Sequence, residues 1–219
     1  MRLLIYGGTF NPPHFGHADA LSCAAAALGA DRMLVVPAGI PPHKALAEGS
    51  PSAEERLRLC ELAFPEADVT PMELQREGKS YTVDTLREIS RENPRAELYF
   101  LVGTDMLLYM EQWHEFRDFF SLCTLAALPR ADGDMTEIER YAAHLRETYG
   151  ARIEIIPKTP LPMDSTSLRA ALPQRGGADK LCDAVYSEII RRRLYGAKPD
   201  LAWLRGKTDA CLKPTRIPH

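Results

Sequence analysis

Residues 3–17 read LLIYGGTFNPPHFGH. The apolar run Leu3-Leu4-Ile5-Tyr6 stops at Gly7-Gly8 and reads as a short buried strand. Gly7 and Gly8 let the backbone come close to a ligand and turn its amides inward. Pro12-Pro13 stiffens the turn, and an Ala-rich helix runs from Phe15 to Leu28. His14 and His17, three residues apart, share one face if that helix begins near His14. A helix N-terminus already favours anions, and two imidazoles add donors aimed at phosphate oxygens. Gly16, between them, is expected to leave room for the ligand. Two histidines at this spacing also suit a metal, but the motif has no cysteine or acidic residue to complete such a site, so no protein metal site is expected. A strand, a glycine turn and a helix in this order put a phosphate site at the carboxyl end of the first strand of an α/β sheet.

Working outward, further strands are expected at Arg32–Pro37, Ala67–Pro71, Glu97–Val102, Thr124–Leu128 and Arg152–Ile156. Between them, Ser52 with Glu55 forms a capping-box signature for a helix to about Phe64. Thr82 opens a helix through Glu92, ended near Asn93-Pro94, and Thr136–Tyr149 carries Ile138, Tyr141, Ala142 and Leu145 on one face. Short helices follow Ser165 and Leu181. The alternation predicts a Rossmann-like, doubly wound α/β fold with a parallel sheet, in a single domain. That domain spans residues 1–196. Residues 197–219 are expected to form a tail of uncertain order with a short helix at Leu201–Arg205.

Composition agrees. The chain has 219 residues, 45% hydrophobic and 26% charged, with a net charge of −3. No basic excess advertises nucleic acid or an anionic membrane. No apolar run approaches a membrane helix. The five cysteines, Cys23, Cys60, Cys123, Cys182 and Cys211, fit neither a disulfide framework nor a zinc knuckle, so a cytoplasmic protein is expected. A homodimer is left open.

Four other segments have chemistry of their own. Pro41-Pro42-His43-Lys44 is a rigid turn presenting one cation, which is otherwise a solvated lysine. Thr82 can cap its helix and leave the next amides facing outward, an end that suits a carboxylate; alone it is a plain cap. Gly103-Thr104-Asp105 closes a strand at the ligand edge, or merely caps the following segment. Ser165-Thr166 starts a helix, with Arg169 a turn later able to turn its guanidinium to the same anion. Asp164 puts a negative charge beside that site or serves as the N-cap. Trp113 is a ring platform or a core aromatic.

GGTFNPPHFGH resembles the signature of the HxGH nucleotidyltransferase superfamily. With PPHK at 41–44, SYTVDT at 80–85, GTD at 103–105, Trp113 and Ser165-Thr166…Arg169, the chain to about residue 195 is similar to the bacterial nicotinate-nucleotide adenylyltransferases. Met163-Asp164 departs from the family's usual Ile-Ser-like pair. The resemblance implies ATP and nicotinate mononucleotide as substrates, with Mg²⁺ carried by the ATP phosphates and no nucleic-acid or membrane partner. It implies an ATP and phosphate site of Gly7, Gly8, Thr9, Phe10, His17, Gly103, Asp105, Ser165, Thr166 and Arg169. It places the mononucleotide against His14, Lys44, Tyr81, Thr82, Trp113 and His114, with Trp113 stacked on the pyridine. His14, His17, Lys44 and Arg169 would carry catalysis. The attacking phosphomonoester has a second pKa of about 6 and is mostly ionised at neutral pH. No strong base is needed, and the histidines act as charge stabilisers. The alternatives are another acceptor within the superfamily, nicotinamide mononucleotide or phosphopantetheine, and a non-catalytic nucleotide-binding module on the same fold. A class I aminoacyl-tRNA synthetase is set aside for want of length, a KMSKS-like segment and a basic RNA surface.

Overall fold

A computed structural model describes residues 1–39, 46–76, 78–131 and 133–207. Its centre is a six-stranded sheet of β1 (Arg2–Gly8), β2 (Arg32–Pro37), β3 (Asp68–Val69), β4 (Glu97–Gly103), β5 (Thr124–Leu128) and β6 (Ile153–Ile155). The strands run in the order β3-β2-β1-β4-β5-β6, and every neighbouring pair is parallel. This is the doubly wound arrangement expected, and chain direction across the sheet reverses between β1 and β4.

The inner strands are apolar on both faces because helices cover both. Successive side chains of a strand point to opposite sides. Leu3 and Ile5 of β1 therefore join Leu98, Phe100 and Val102 of β4 on one side, under α3 (Thr82–Glu92), α5 (Phe116–Leu122) and α6 (Met135–Tyr149). Leu4 and Leu101 face the other side, under α1 (Phe15–Leu28). Short α4 (Thr104–Leu108) continues directly from β4. A third apolar cluster joins Leu59 of α2 (Ala53–Ala63) to α7 (Ser165–Ala171) and α8 (Asp183–Arg192).

The helices expected at Thr82–Glu92 and Leu201–Arg205 are present with those bounds, as α3 and α9, but the cap of α3 differs from expectation. Thr82 is the first helical residue of α3, and Tyr81 is its N-cap, with no side-chain cap hydrogen bond. Thr82 thus does not cap the helix, and the first-turn amides are left without a side-chain partner. Beyond residue 196 the chain keeps to the body as far as it is described. Ala197 is buried, and Trp203 of α9 (Leu201–Arg205) meets the Tyr186 ring edge-on at 4.9 Å. Lys207 reaches Asp183 at 2.7 Å.

Candidate active site

A cavity of about 210 Å³ opens at the carboxyl ends of β1 and β4, where the strand order reverses. Ligands of open α/β sheets bind at this crevice. Gly7, Gly8, Phe10, His14 and His17 line one wall and Gly103, Asp105 and Met106 the opposite one. Arg130, just past β5, and the segment from Pro160 to Met163 close the rest.

His14 is the N-cap of α1 and His17 its third residue. The His17 amide donates to Nδ1 of His14, and the His14 amide donates to Nδ1 of His17, both at 3.3 Å. The two imidazoles thus form a reciprocal capping box, a role usually filled by Ser or Thr with Glu. Their rings stack at 3.7 Å. Since both Nδ1 atoms accept, the ring proton of each neutral histidine lies on Nε2. The surroundings keep them neutral. Burial drives the His14 pKa down to about 4, with Asp164 opposing and Arg130 assisting. Burial, the neighbouring His14 and Arg130 hold His17 well below the ordinary imidazole range. The edge-on ring of Phe10 at 5.2 Å props His17 from the side.

Gly16 lines the cavity, and its missing side chain also makes room for the protein's own backbone. A Cβ there would stand 2.9 Å from the Leu161 carbonyl oxygen and 3.1 Å from Nδ1 of His14. Its bare backbone admits the 160–163 segment, which is pinned where the Leu161 amide donates to Asp19 of α1 at 2.8 Å. That segment forms a wall that sequence reading did not identify.

Arg130 was also missed. Its guanidinium pairs with Asp105, and it is the cation lining the cavity among the described residues. Its place is set by Asp134, whose carboxylate accepts the Arg130 and Ala131 amides at 3.0 and 3.1 Å and the Thr104 hydroxyl at 2.6 Å. The available signal was positional: an arginine two residues past a parallel strand, at the same sheet edge as Gly8 and Gly103. Asp105 itself sits in the first turn of α4, for which Gly103 is the N-cap.

Of the remaining expected residues, Ser165, Thr166 and Arg169 are outside the cavity lining and brace the glycine-proline loop. The Ser165 hydroxyl donates to the Pro12 carbonyl at 3.1 Å. Arg169 donates to the Asn11 carbonyl at 2.7 Å and to the Thr166 hydroxyl at 3.2 Å. Asp164 is the N-cap of α7, accepting the Ser167 amide at 2.8 Å, so its charge is already engaged. The Thr9 carbonyl faces inward, to buried Arg56, instead of lining the cavity.

Tyr81, Thr82, Trp113 and His114 gather on the far side of Phe100. The Tyr81 and His114 rings lie 4.2 Å apart. Trp113 meets Phe119 edge-on at 5.4 Å and Phe100 at 6.3 Å, and the ring of Phe100 would in turn touch a Cβ on Gly7. Trp113 is half-buried and packs against the core cluster while remaining partly accessible. Asp84, a half-buried first-turn acid, pairs with Arg87 at 3.2 Å. Lys44 lies outside the described residues.

The family model for cytidylyltransferase-like proteins matches residues 5–171. A protein of Geobacillus thermodenitrificans (strain NG80-2), named "Probable nicotinate-nucleotide adenylyltransferase", is 40% identical over 206 residues, covering 92% of this chain and 89% of that one. Another of that name, from Synechococcus sp. (strain JA-2-3B'a(2-13)), is 34% identical over 200 residues, covering 89% and 96%. Among solved structures, Plasmodium falciparum nicotinic acid mononucleotide adenylyltransferase complexed with NaAD shares the fold. Its TM-score is 0.71 at 17% identity, over 91% of this chain and 99% of that one.

Proposed function

The chain belongs to the cytidylyltransferase-like family and, within it, to the nicotinate-nucleotide adenylyltransferases, and from that membership we propose how its residues share the work. The enzyme transfers the adenylyl group of ATP to nicotinate mononucleotide, giving nicotinate adenine dinucleotide and pyrophosphate, a step of NAD biosynthesis. The observation that carries the assignment of roles is the paired neutral histidines at the N-terminus of α1, facing Gly103, Asp105 and Arg130 across the crevice.

In this reading His14 and His17 present Nε2–H donors to the α-phosphate. The attack forms a bond from the 5′-phosphate oxygen of the mononucleotide to the α-phosphorus, and the bond to the pyrophosphate oxygen breaks. The α1 dipole and the two donors stabilise the negative charge that builds on the equatorial oxygens. A neutral imidazole gives up its remaining N–H proton only far above neutral pH, so in this reading both histidines act as hydrogen-bond donors and not as acid or base. The nucleophile arrives ionised, since a phosphomonoester's second pKa is about 6. Lys44 and Arg169 hold flanking phosphates. For Arg169 this requires the guanidinium to keep the Asn11 carbonyl with one nitrogen and offer another. Arg130 adds a further positive charge. Gly7, Gly8, Thr9 and Phe10 shape the nucleotide side, and Ser165 and Thr166 the phosphate flank. Tyr81, Thr82, Trp113 and His114 receive the pyridine. The uncapped amides of α3 suit its carboxylate, and the Trp113 face suits its cationic ring.

Among the described residues no cluster of three or more His, Cys, Asp or Glu could hold a metal ion. Asp105, the carboxylate lining the cavity, is paired with Arg130. These residues fit Mg²⁺ held by phosphate oxygens and water, where it would neutralise triphosphate charge. No described helix is long and apolar enough to cross a membrane. We place the reaction in the cytoplasm, on the support of four buried, unpaired thiols, Cys23, Cys60, Cys123 and Cys182.

The test is pyrophosphate release from ATP with the acid and amide mononucleotides side by side. Turnover with the acid well above that with the amide is expected. Equal turnover would overturn the carboxylate site at α3, and no release with either would overturn the catalytic assignment.

A further inference from the structure

Two buried side chains of opposite charge have no part in the chemistry above. Arg56 of α2 is 1% exposed and Glu73 is 8% exposed. Among the described residues Arg56 meets no carboxylate. It donates to the carbonyls of Thr9 at 2.9 Å, Ala38 at 2.8 Å and Gly39 at 3.1 Å. Those carbonyls come from two segments only, the loop after β1 and the loop after β2. Glu73 accepts the Thr85 hydroxyl at 2.7 Å. Its own carbonyl accepts the Ser80 hydroxyl at 3.2 Å and lies where a Cβ on Gly39 would come within 2.5 Å. Gly39 is therefore held from both sides, its carbonyl bonded by Arg56 and its bare Cα packed against the Glu73 backbone. The far end is anchored as well, since Arg76 donates to the Thr85 hydroxyl at 3.1 Å and to Glu88 at 2.8 Å.

The line Thr9–Arg56–Gly39–Glu73–Thr85 has functional residues at both ends. Thr9 follows Gly8 in the nucleotide loop. Thr85 is one turn into α3, behind Tyr81 and Thr82. Burying separated charges is a poor way to gain stability, because apolar side chains of similar volume fill such space at lower cost. What the polar line provides is a fixed distance, since each hydrogen bond tolerates only a few tenths of an ångström.

We propose that Arg56 and Glu73 are positioning residues, which hold the ATP loop and the pyridine helix in register through a buried strut from Thr9 to Thr85. The proposal rests on the reading that α3 and Trp113 receive the pyridine half of the acceptor. In-line displacement requires both reactants at near-contact distance with aligned bonds, and a 1 Å misplacement costs about a hundredfold in rate. The side chains of Arg56, Glu73 and Thr85 are not among those lining the cavity, so each substrate is expected still to bind when the strut is cut. The loss falls on the step that needs both.

Thr85→Val removes the bridging hydroxyl and keeps the β-branched shape. We expect kcat to fall about ten- to a hundredfold, with KM for ATP and for nicotinate mononucleotide each within about threefold of wild type. Arg56→Lys retains the charge but cannot span three carbonyls, and a similar fall in kcat is expected. Because either change cuts the same strut, the double variant should lose no more than the worse single one. Independent structural defects would multiply instead. Thr85→Val with kcat within about twofold of wild type, or multiplying losses in the double variant, would overturn the proposal. Trp113→Leu reports on the half-site separately. Raised KM for the mononucleotide there, with kcat of Thr85→Val unchanged, overturns the strut alone. Unchanged KM overturns the half-site reading, and the strut with it.

Discussion

Acidification from pH 8 to pH 5 should cost this protein stability through His14, and the loss can be worked from its position. Nδ1 of His14 accepts the His17 amide, so a proton there sets donor against donor. The ring is also buried, which penalises the charged form. Burial, with Arg130 assisting and Asp164 opposing, puts its pKa near 4, from an ordinary 6.5. Above pH 6.5 the imidazole is neutral in folded and unfolded chains alike, and the full native contribution is present. Below 6.5 the unfolded chain takes up a proton that the native protein refuses, so stability falls until the native ring protonates near pH 4. At about 1.4 kcal/mol per pH unit between those limits, the loss is about 2 kcal/mol at pH 5 and about 3 kcal/mol when complete. His17, also depressed, adds in the same direction. Glu73 acts oppositely: burial raises its pKa, so acid favours the native state there.

Urea unfolding at pH 8, 7, 6 and 5 measures the sum, and His14→Asn isolates the term. Asparagine is a strong N-cap, so the helix start is kept and the titration removed. The wild-type and variant stabilities should diverge as pH falls below 6.5, by about 2 kcal/mol at pH 5. Because the two histidines interact, the difference curve reports the first proton taken up by the pair. Parallel curves from pH 8 to pH 5 would refute the argument that His14 is held neutral by its place in the cap.

Three further outcomes are expected. His17→Ala should lower kcat by about a hundredfold or more with a much smaller effect on folding; near-normal turnover in steady-state assays would remove His17 from the site. Trp113→Leu should raise KM for nicotinate mononucleotide several-fold and leave KM for ATP nearly unchanged, the leucine being chosen to fill the space against Phe100 and Phe119 that alanine would leave empty. Arg130→Ala should raise KM for ATP several-fold and, by removing a cation that depresses both imidazoles, shift the acid limb of the stability curve upward; unfolding curves that superpose on wild type would deny the electrostatic link.

The elements were legible because their signals are local. Apolar runs ending at Gly7-Gly8, Pro37, Gly103 and Leu128 are strands wherever they are placed, and Ser52 with Glu55 does form the reciprocal cap that starts α2. Long-range polar contacts leave no such trace. Arg169 was read as reaching toward an anion, but the nearest acceptor that the fold brings to it is the carbonyl of Asn11, 158 residues away. Arg56 offered one clue, a charge on the same helical face as Leu59 and Cys60, all three buried. Nothing nearby in sequence says that its partners are carbonyls of Thr9, Ala38 and Gly39. The cap of α3 is Tyr81, whose backbone is extended, and no side chain accepts there to mark it in the sequence.

The comparison of α1 with α2 explains why histidines occupy a place that serine and glutamate fill so readily. Both helices start with a capping box of the same connectivity, His14 with His17 and Ser52 with Glu55. At α2 the third residue is a carboxylate, which the helix dipole welcomes at an exposed N-terminus. At α1 the same choice would set a negative charge on the wall of the cavity, where a triphosphate has to sit. Two neutral imidazoles satisfy the same backbone amides through Nδ1, leave the positive end of the dipole unopposed, and keep a proton on each Nε2. Neutrality has to be enforced, and burial between Phe10, the 160–163 segment and Arg130 enforces it. The acid sensitivity predicted for His14 thus has the same origin as the site's affinity for phosphate, and a variant that relieves the one should weaken the other.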